Sequence, residues 1–163
     1  MSVDVRAATP ADHTAVSAIV GAAFGRDAEA VLVDELRADG YARIELVAVS
    51  GGVVVGHVLL SELPLDGGAG LVLGPLAVVP GRQGEGIGTA LVRAALDRAR
   101  ADGWPVVVLL GDPAYYGRFG FRPARELGIT GPYGDGDAFM ALPLGAPVPA
   151  GFARHPEPFA RLP

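Results

Sequence analysis

The stretch Gln83-Gly84-Glu85-Gly86-Ile87-Gly88 constrains this chain more than any other, with glycine at alternate positions between an apolar run and an amphipathic one. It predicts a strand-to-helix turn. Glycine permits positive φ there and lets a ligand approach main-chain amides with no Cβ in the way. At a helix N-terminus those amides meet the positive end of the helix dipole, which suits a phosphate. Spacing alone leaves a plain turn open as the alternative. It speaks against a dinucleotide fingerprint: counted from Gly84 the sixth position is Thr89, and Asp112 lies beyond the usual spacing of ~20 residues. That fold would also open with its glycine loop, whereas here a hairpin comes first.

The elements around the loop can be read in order. Val3 to Ala7 suits a short strand, and Thr9-Pro10-Ala11-Asp12 reads as a helix start: hydroxyl cap, proline, then an acid. Val16, Ile19, Val20 and Phe24 fall on one helical face, and a second helix is expected from Asp27 to Ala38. Leu46 to Val49 and Val53 to Leu60 flank Gly51-Gly52, a hairpin signal. Leu71 to Val79 is a third strand, bulged or unpaired near Gly74-Pro75 because proline cannot donate to a ladder. Glu62 to Gly70, between the two, reads as a loop. A helix with Ile87, Ala90, Leu91 and Ala94 on one face follows the glycine loop and stops at Asp102-Gly103. Val106 to Leu110 suits a strand buried on both faces. A short helical segment at Ala114 to Arg118 and a strand near Ala138 to Leu142 complete the pattern. The fold class is mixed α/β, with a βαβ crossover over residues 71 to 110. One domain is expected over residues 1–144. The tail, 145–163, holds five prolines and is expected to be irregular with no place in the core, which motivates the expectation of a homodimer.

Composition removes several chemistries. Cysteine and lysine are both absent from the 163 residues, which excludes thiolate sites, disulfides, a Walker-type phosphate loop and Schiff-base enzymes. The net charge of −5 argues against a nucleic-acid partner and weakly favours a cationic one. Three scattered histidines give no metal site. No apolar run spans a membrane and Met1-Ser2-Val3-Asp4 shows no leader, so a cytoplasmic protein is expected.

Gln83-x-x-Gly86-x-Gly88 resembles the Gln/Arg-x-x-Gly-x-Gly/Ala signature of the GNAT superfamily of N-acetyltransferases. Gly74-Pro75-Leu76-Ala77-Val78-Val79-Pro80 is similar to that family's fourth strand. Gly111-Asp112-Pro113-Ala114-Tyr115-Tyr116-Gly117-Arg118-Phe119-Gly120-Phe121 is similar to its fifth-strand end and short fourth helix, as found in a subgroup of predicted bacterial acetyltransferases. The likeness runs from residue 3 to about 142. It implies a mostly antiparallel central sheet splayed between strands 4 and 5 and flanked by helices. It also implies acetyl transfer from acetyl-CoA, without a metal, to a primary amine that attacks directly in a ternary complex. A small-molecule amine is expected ahead of a protein N-terminus, and a sensor of acyl-CoA or a metabolite with the same fold is the alternative. By the resemblance, Leu76, Ala77 and Val78 would present backbone groups to the pantetheine arm. Gln83, Gly84, Glu85, Gly86, Ile87, Gly88 and Thr89 would hold the pyrophosphate, with Glu85 at a position often basic in the family. Asp112 is a further cofactor-side candidate, although capping of the short helix is its simpler role.

Tyr116 aligns with the tyrosine that serves the departing thiolate, while an aromatic cluster with Tyr115, Phe119 and Phe121 that merely caps the core is its bland alternative. The base that takes the amine's proton is expected at Glu62, with Asp66 second, although acids after strands are mostly solvated. His57 shares strand parity with Val53, Val55 and Leu59 and reads as a structural histidine.

Overall fold

The structure is a computed structural model that describes residues 2–163; Met1, part of the N-terminal stretch read above, lies outside the described residues. Alternating apolar residues build one mixed sheet of seven strands in the order β1-β2-β3-β4-β5-β8-β6. The strands are β1 (Asp4–Ala7), β2 (Ala42–Ser50), β3 (Val53–Leu65), β4 (Gly68–Val78), β5 (Val106–Leu110), β6 (Arg122–Pro123) and β8 (Phe139–Pro143). Every pairing in it is antiparallel except β4 with β5. Two two-residue strands, β7 (Ile129–Thr130) and β9 (Gly151–Phe152), pair in parallel beside it.

Helices cover both faces. On one face, α1 (His13–Phe24) and α2 (Ala28–Ala38) bury Val16, Ile19, Val20, Leu32, Val33 and Leu36 against Val47, Leu59 and Leu63. On the other, α3 (Ile87–Ala101) buries Ile87, Leu91, Val92, Ala95 and Leu96 against Val58, Leu60 and Leu73. Each fully buried leucine or valine contributes about 1.5–3 kcal/mol, so these two layers carry the stability. The buried stripe of α3 is rotated from the expected one: Ala90 is exposed and Ala94 half-buried. Phe24, expected on the buried face of α1, is 42% exposed at the helix end. The start of α1 is a 3₁₀ turn, Pro10–Asp12, in which the Asp12 carboxylate accepts the Thr9 amide at 2.8 Å and both terminal guanidinium nitrogens of Arg6.

Two expectations are corrected. Residues 62–70 are not a loop: β3 runs to Leu65 and β4 begins at Gly68, with Leu65 opposite Gly68 across Asp66-Gly67. Alternation of buried Leu63 and Leu65 with half-buried Glu62 and Pro64 extends the strand. The tail, for its part, is packed in the core. Ala153 is fully buried and Phe159, on the short helix α5 (Glu157–Ala160), is 9% exposed within the cluster under α1 and α2. Arg154 donates its backbone amide to Pro64 and its side chain to Asp66, and Arg161 pairs with Glu35. The tail therefore gives no ground for self-association.

Candidate active site

The site begins where two strands part. β4 and β5 pair only at Leu71 with Val107 and at Val72 with Val108. Beyond Val72, β4 keeps its ladder to β3 but has no partner on the β5 side. Against β3, Leu60 faces Leu73 and Val58 faces Leu76, so β4 carries one extra residue at Gly74-Pro75, the bulge expected there. Leu76, Ala77 and Val78 thus present an unladdered backbone edge toward the gap.

A cleft of about 500 Å³ occupies this gap. Its floor is Val72 to Leu76 on one side and Leu110 and Gly111 on the other. Tyr116, at the end of α4 (Pro113–Tyr116), forms one wall. Asp112 caps α4 by accepting the Ala114 amide at 2.9 Å, and it does not line the cleft. A Cβ at Gly111 would lie 2.5 Å from a ring carbon of Tyr116, so this ring packs directly on glycine backbone. Burial, with Tyr115 beside it, pushes the Tyr116 hydroxyl up to about 12, and the group stays protonated at any working pH.

A second hollow of about 260 Å³ lies along the glycine loop and is lined by Arg82, Gln83, Gly84, Gly86, Gly88 and Thr89 among others. Gly86, the residue before α3, has φ of 86°, a left-handed conformation costly for any side chain. It lets the first amides of α3, which have no carbonyl a turn behind them, face the hollow. Tyr115 lines it too, its hydroxyl 3.0 Å from Thr89 Oγ1, with the Arg118 guanidinium 4.4 Å from its ring centre. Arg82 and Arg118 are cations that the reading of the loop missed; Arg118 falls outside the loop, and only the fold brings it there. Glu85 turns out of the hollow and pairs with Arg82 at 2.9 Å, so its charge does not face a bound anion.

The opposite end of the cleft is closed by Phe24, Glu29 and Leu32 from the first helices and by Tyr133, His155 and Phe159. None of these six was singled out from the sequence as a site residue. Glu29 is 5% exposed, and Arg26 grips its carboxylate with two hydrogen bonds of 2.9 and 2.6 Å, which hold it below the ordinary carboxylate range. Glu62 is elsewhere: it alternates with buried Leu63 on β3 and lies 3.5 Å from Arg43, outside the cleft. Asp66 is spent on the tail, accepting the Phe152 amide and the Arg154 guanidinium. His57 is fully buried, its Nε2 donating to Glu45 Oε2 at 2.8 Å, as a structural histidine would. Among the described residues no cluster of metal-ligating side chains is found, and no helix is long and apolar enough to cross a membrane.

Comparison with known proteins agrees with this geometry. Escherichia coli YhbS, named an uncharacterized N-acetyltransferase, is 39% identical over 125 residues, 75% of each chain. The crystal structure of YhbS in complex with CoA matches with a TM-score of 0.90 at 33% identity, covering 99% of this chain and 93% of that one. A GNAT acetyltransferase of Brucella melitensis in complex with acetyl-CoA matches with a TM-score of 0.83 at 33% identity, over 97% and 98% of the two chains. Residues 15–121 match the model of the acetyltransferase (GNAT) family. With two thirds of its length inside that family's pattern, the chain belongs to the GNAT acetyltransferases.

Proposed function

We propose that the chain transfers the acetyl group of acetyl-CoA to a primary amine by direct attack, with both substrates bound together. The observation that carries this reading is the position of Tyr116, a half-buried, protonated hydroxyl at the point where β4 and β5 diverge. The residues fit the co-substrate. The edge of Leu76 to Val78 offers unpaired backbone groups to an amide-bearing arm, and the loop hollow offers helix-end amides with Arg82 and Arg118 to a pyrophosphate. Acetyl-CoA supplies an activated acyl group on a thiol leaving group.

Tyr116 then acts on the sulfur. A hydroxyl held near 12 is a weaker acid than a thiol at about 8.5, so complete transfer of its proton is uphill by roughly 5 kcal/mol. Tyr116 therefore works as a preorganised hydrogen-bond donor to charge that grows on sulfur, which is stabilised only as the bond breaks. The sensor reading is weaker, because the folded-back tail narrows the cleft without filling it.

The test is calorimetry with acetyl-CoA on the wild type and on Gly88→Glu. A Cβ at Gly88 meets only ordinary contacts, the nearest 3.5 Å away at the Tyr115 hydroxyl, so the fold is spared. The added carboxylate would project into the hollow and repel a pyrophosphate. Micromolar binding by the wild type, lost in the variant, is expected; equal binding would place acetyl-CoA elsewhere. Release of thiol with an amine present then separates enzyme from sensor.

A further inference from the structure

The far end of the cleft bears on the chemistry of the acceptor. Phe24, Leu32, Tyr133 and Phe159 make its walls apolar and aromatic. Beside them stand two ionisable groups that no step above employs. The charge of Glu29 is matched in full by the two hydrogen bonds from Arg26. The other group, His155, is packed edge-on against Tyr133 and Phe159, with ring centres 4.7 and 5.8 Å away. Its Nδ1 is sealed from solvent without a well-formed hydrogen bond, and the Ala153 backbone is the polar group acting on the ring. Since His155 lines the cleft, Nε2 is the nitrogen left to face it. Burial pushes this imidazole down to about 4, so it is neutral at pH 7.

The side chains of the acceptor end therefore carry no unmatched negative charge, and the main-chain carboxylate of Pro163 is the one anion beside them. A polyamine or an aminosugar would shed water from several ammonium groups with at most one carboxylate, that of Pro163, to replace it. An aromatic or alkyl body gains from the same walls, at roughly 25 cal/mol per Å² buried.

Resting on the reading of the chain as an amine acetyltransferase, we propose that its acceptor is a monoamine on an aromatic or alkyl body, held as the free base by an N–H hydrogen bond to His155 Nε2. As the amine nitrogen bonds to the acyl carbon and the carbon–sulfur bond breaks, the nitrogen passes one proton to Nε2. The thiolate, supported by Tyr116, takes up a proton through water from His155, so amine and thioester become amide and thiol. A weak base suffices, because the nitrogen's proton becomes strongly acidic only as the new bond forms.

The experiment offers acetyl-CoA with 2-phenylethylamine, hexylamine, spermidine or kanamycin, and reads thiol release and product mass. The first two are expected to exceed the polycations by about 100-fold in kcat/KM, the worth of burying roughly 100 Å² of apolar body. Preference for spermidine or kanamycin overturns this inference and leaves the acetyltransferase reading intact. Acetyl-CoA binding without turnover of any amine overturns both, in favour of the sensor. His155→Leu should lose about 100-fold in kcat on 2-phenylethylamine at unchanged acetyl-CoA affinity, and His155→Gln, which accepts a hydrogen bond but no proton, at least about 10-fold. A rate equal to wild type in either variant removes His155 from the role.

Discussion

At the residue scale the two neighbouring tyrosines are proposed to divide the work, and the division can be measured. Tyr116 faces the splay of the strands, while Tyr115 holds Thr89 beside the loop hollow. Tyr116→Phe removes one hydroxyl and keeps the ring on Gly111, so turnover should fall by roughly 10²–10³-fold, the worth of one preorganised donor. Acetyl-CoA affinity should stay put. Tyr115→Phe should do the reverse, weakening acetyl-CoA by about tenfold or less, the value of one neutral hydrogen bond, with kcat unchanged. Calorimetry beside steady-state kinetics checks both, and equal rates for Tyr116→Phe and wild type would take Tyr116 out of the mechanism. The place of Tyr116 beside the splay was legible because its signal is local: Tyr-x-x-x-Gly-Phe at a set distance after a glycine loop. The acceptor end was not. Glu29 reads as an ordinary acid in a first helical turn, and His155 lies in a proline-rich stretch. Nothing in the spacing of either says that they line one cleft.

At the element scale the same contrast holds. The Gly51-Gly52 hairpin, the bulge at Gly74-Pro75 and the loop leading into α3 each follow from residues within a few positions, and each is found where periodicity and turn chemistry place it. The tail obeys no such local code. Its placement brings Asp66 to Arg154 and Glu35 to Arg161, contacts between residues 88 and 126 positions apart. These pairs are exposed and contribute little by themselves. The anchor is apolar: Phe159, at 9% exposure, lies in the core under α1 and α2 and also walls the cleft. Phe159→Ala is expected to destabilise the fold by about 3–5 kcal/mol, read as a lower urea midpoint, and to reduce turnover at temperatures where the protein remains folded. A loss below about 1 kcal/mol would mean that the tail detaches without cost to the core.

For the whole molecule, element order, the crossover and the splay could be read in advance, whereas the strands β7 and β9 are too short for any periodicity to reveal. Stability against acid is likewise a property of distant parts brought together. Glu45 on β2 accepts from Arg37 of α2 at 3.0 Å and from buried His57 of β3 at 2.8 Å. Burial alone would raise its carboxyl; the hydrogen bonds from His57 and Arg37 outweigh it and hold the group near 2. The unfolded chain takes up that proton near 4.3, so stability present above that value is lost as pH falls toward 2. His155 acts in an adjoining window. Its folded value near 4 lies below the unfolded 6.5, so the unfolded chain binds the extra proton first and stability declines from pH 6.5 toward 4. The urea midpoint should therefore fall in two stretches. His155→Gln should flatten the upper one and leave the lower. Glu45→Gln should start lower at pH 7, having lost its ion pair with Arg37, and should flatten the decline below about pH 4.3. If its midpoint fell in parallel with wild type through that lower window, the Arg37–Glu45–His57 cluster would not be the source of acid lability.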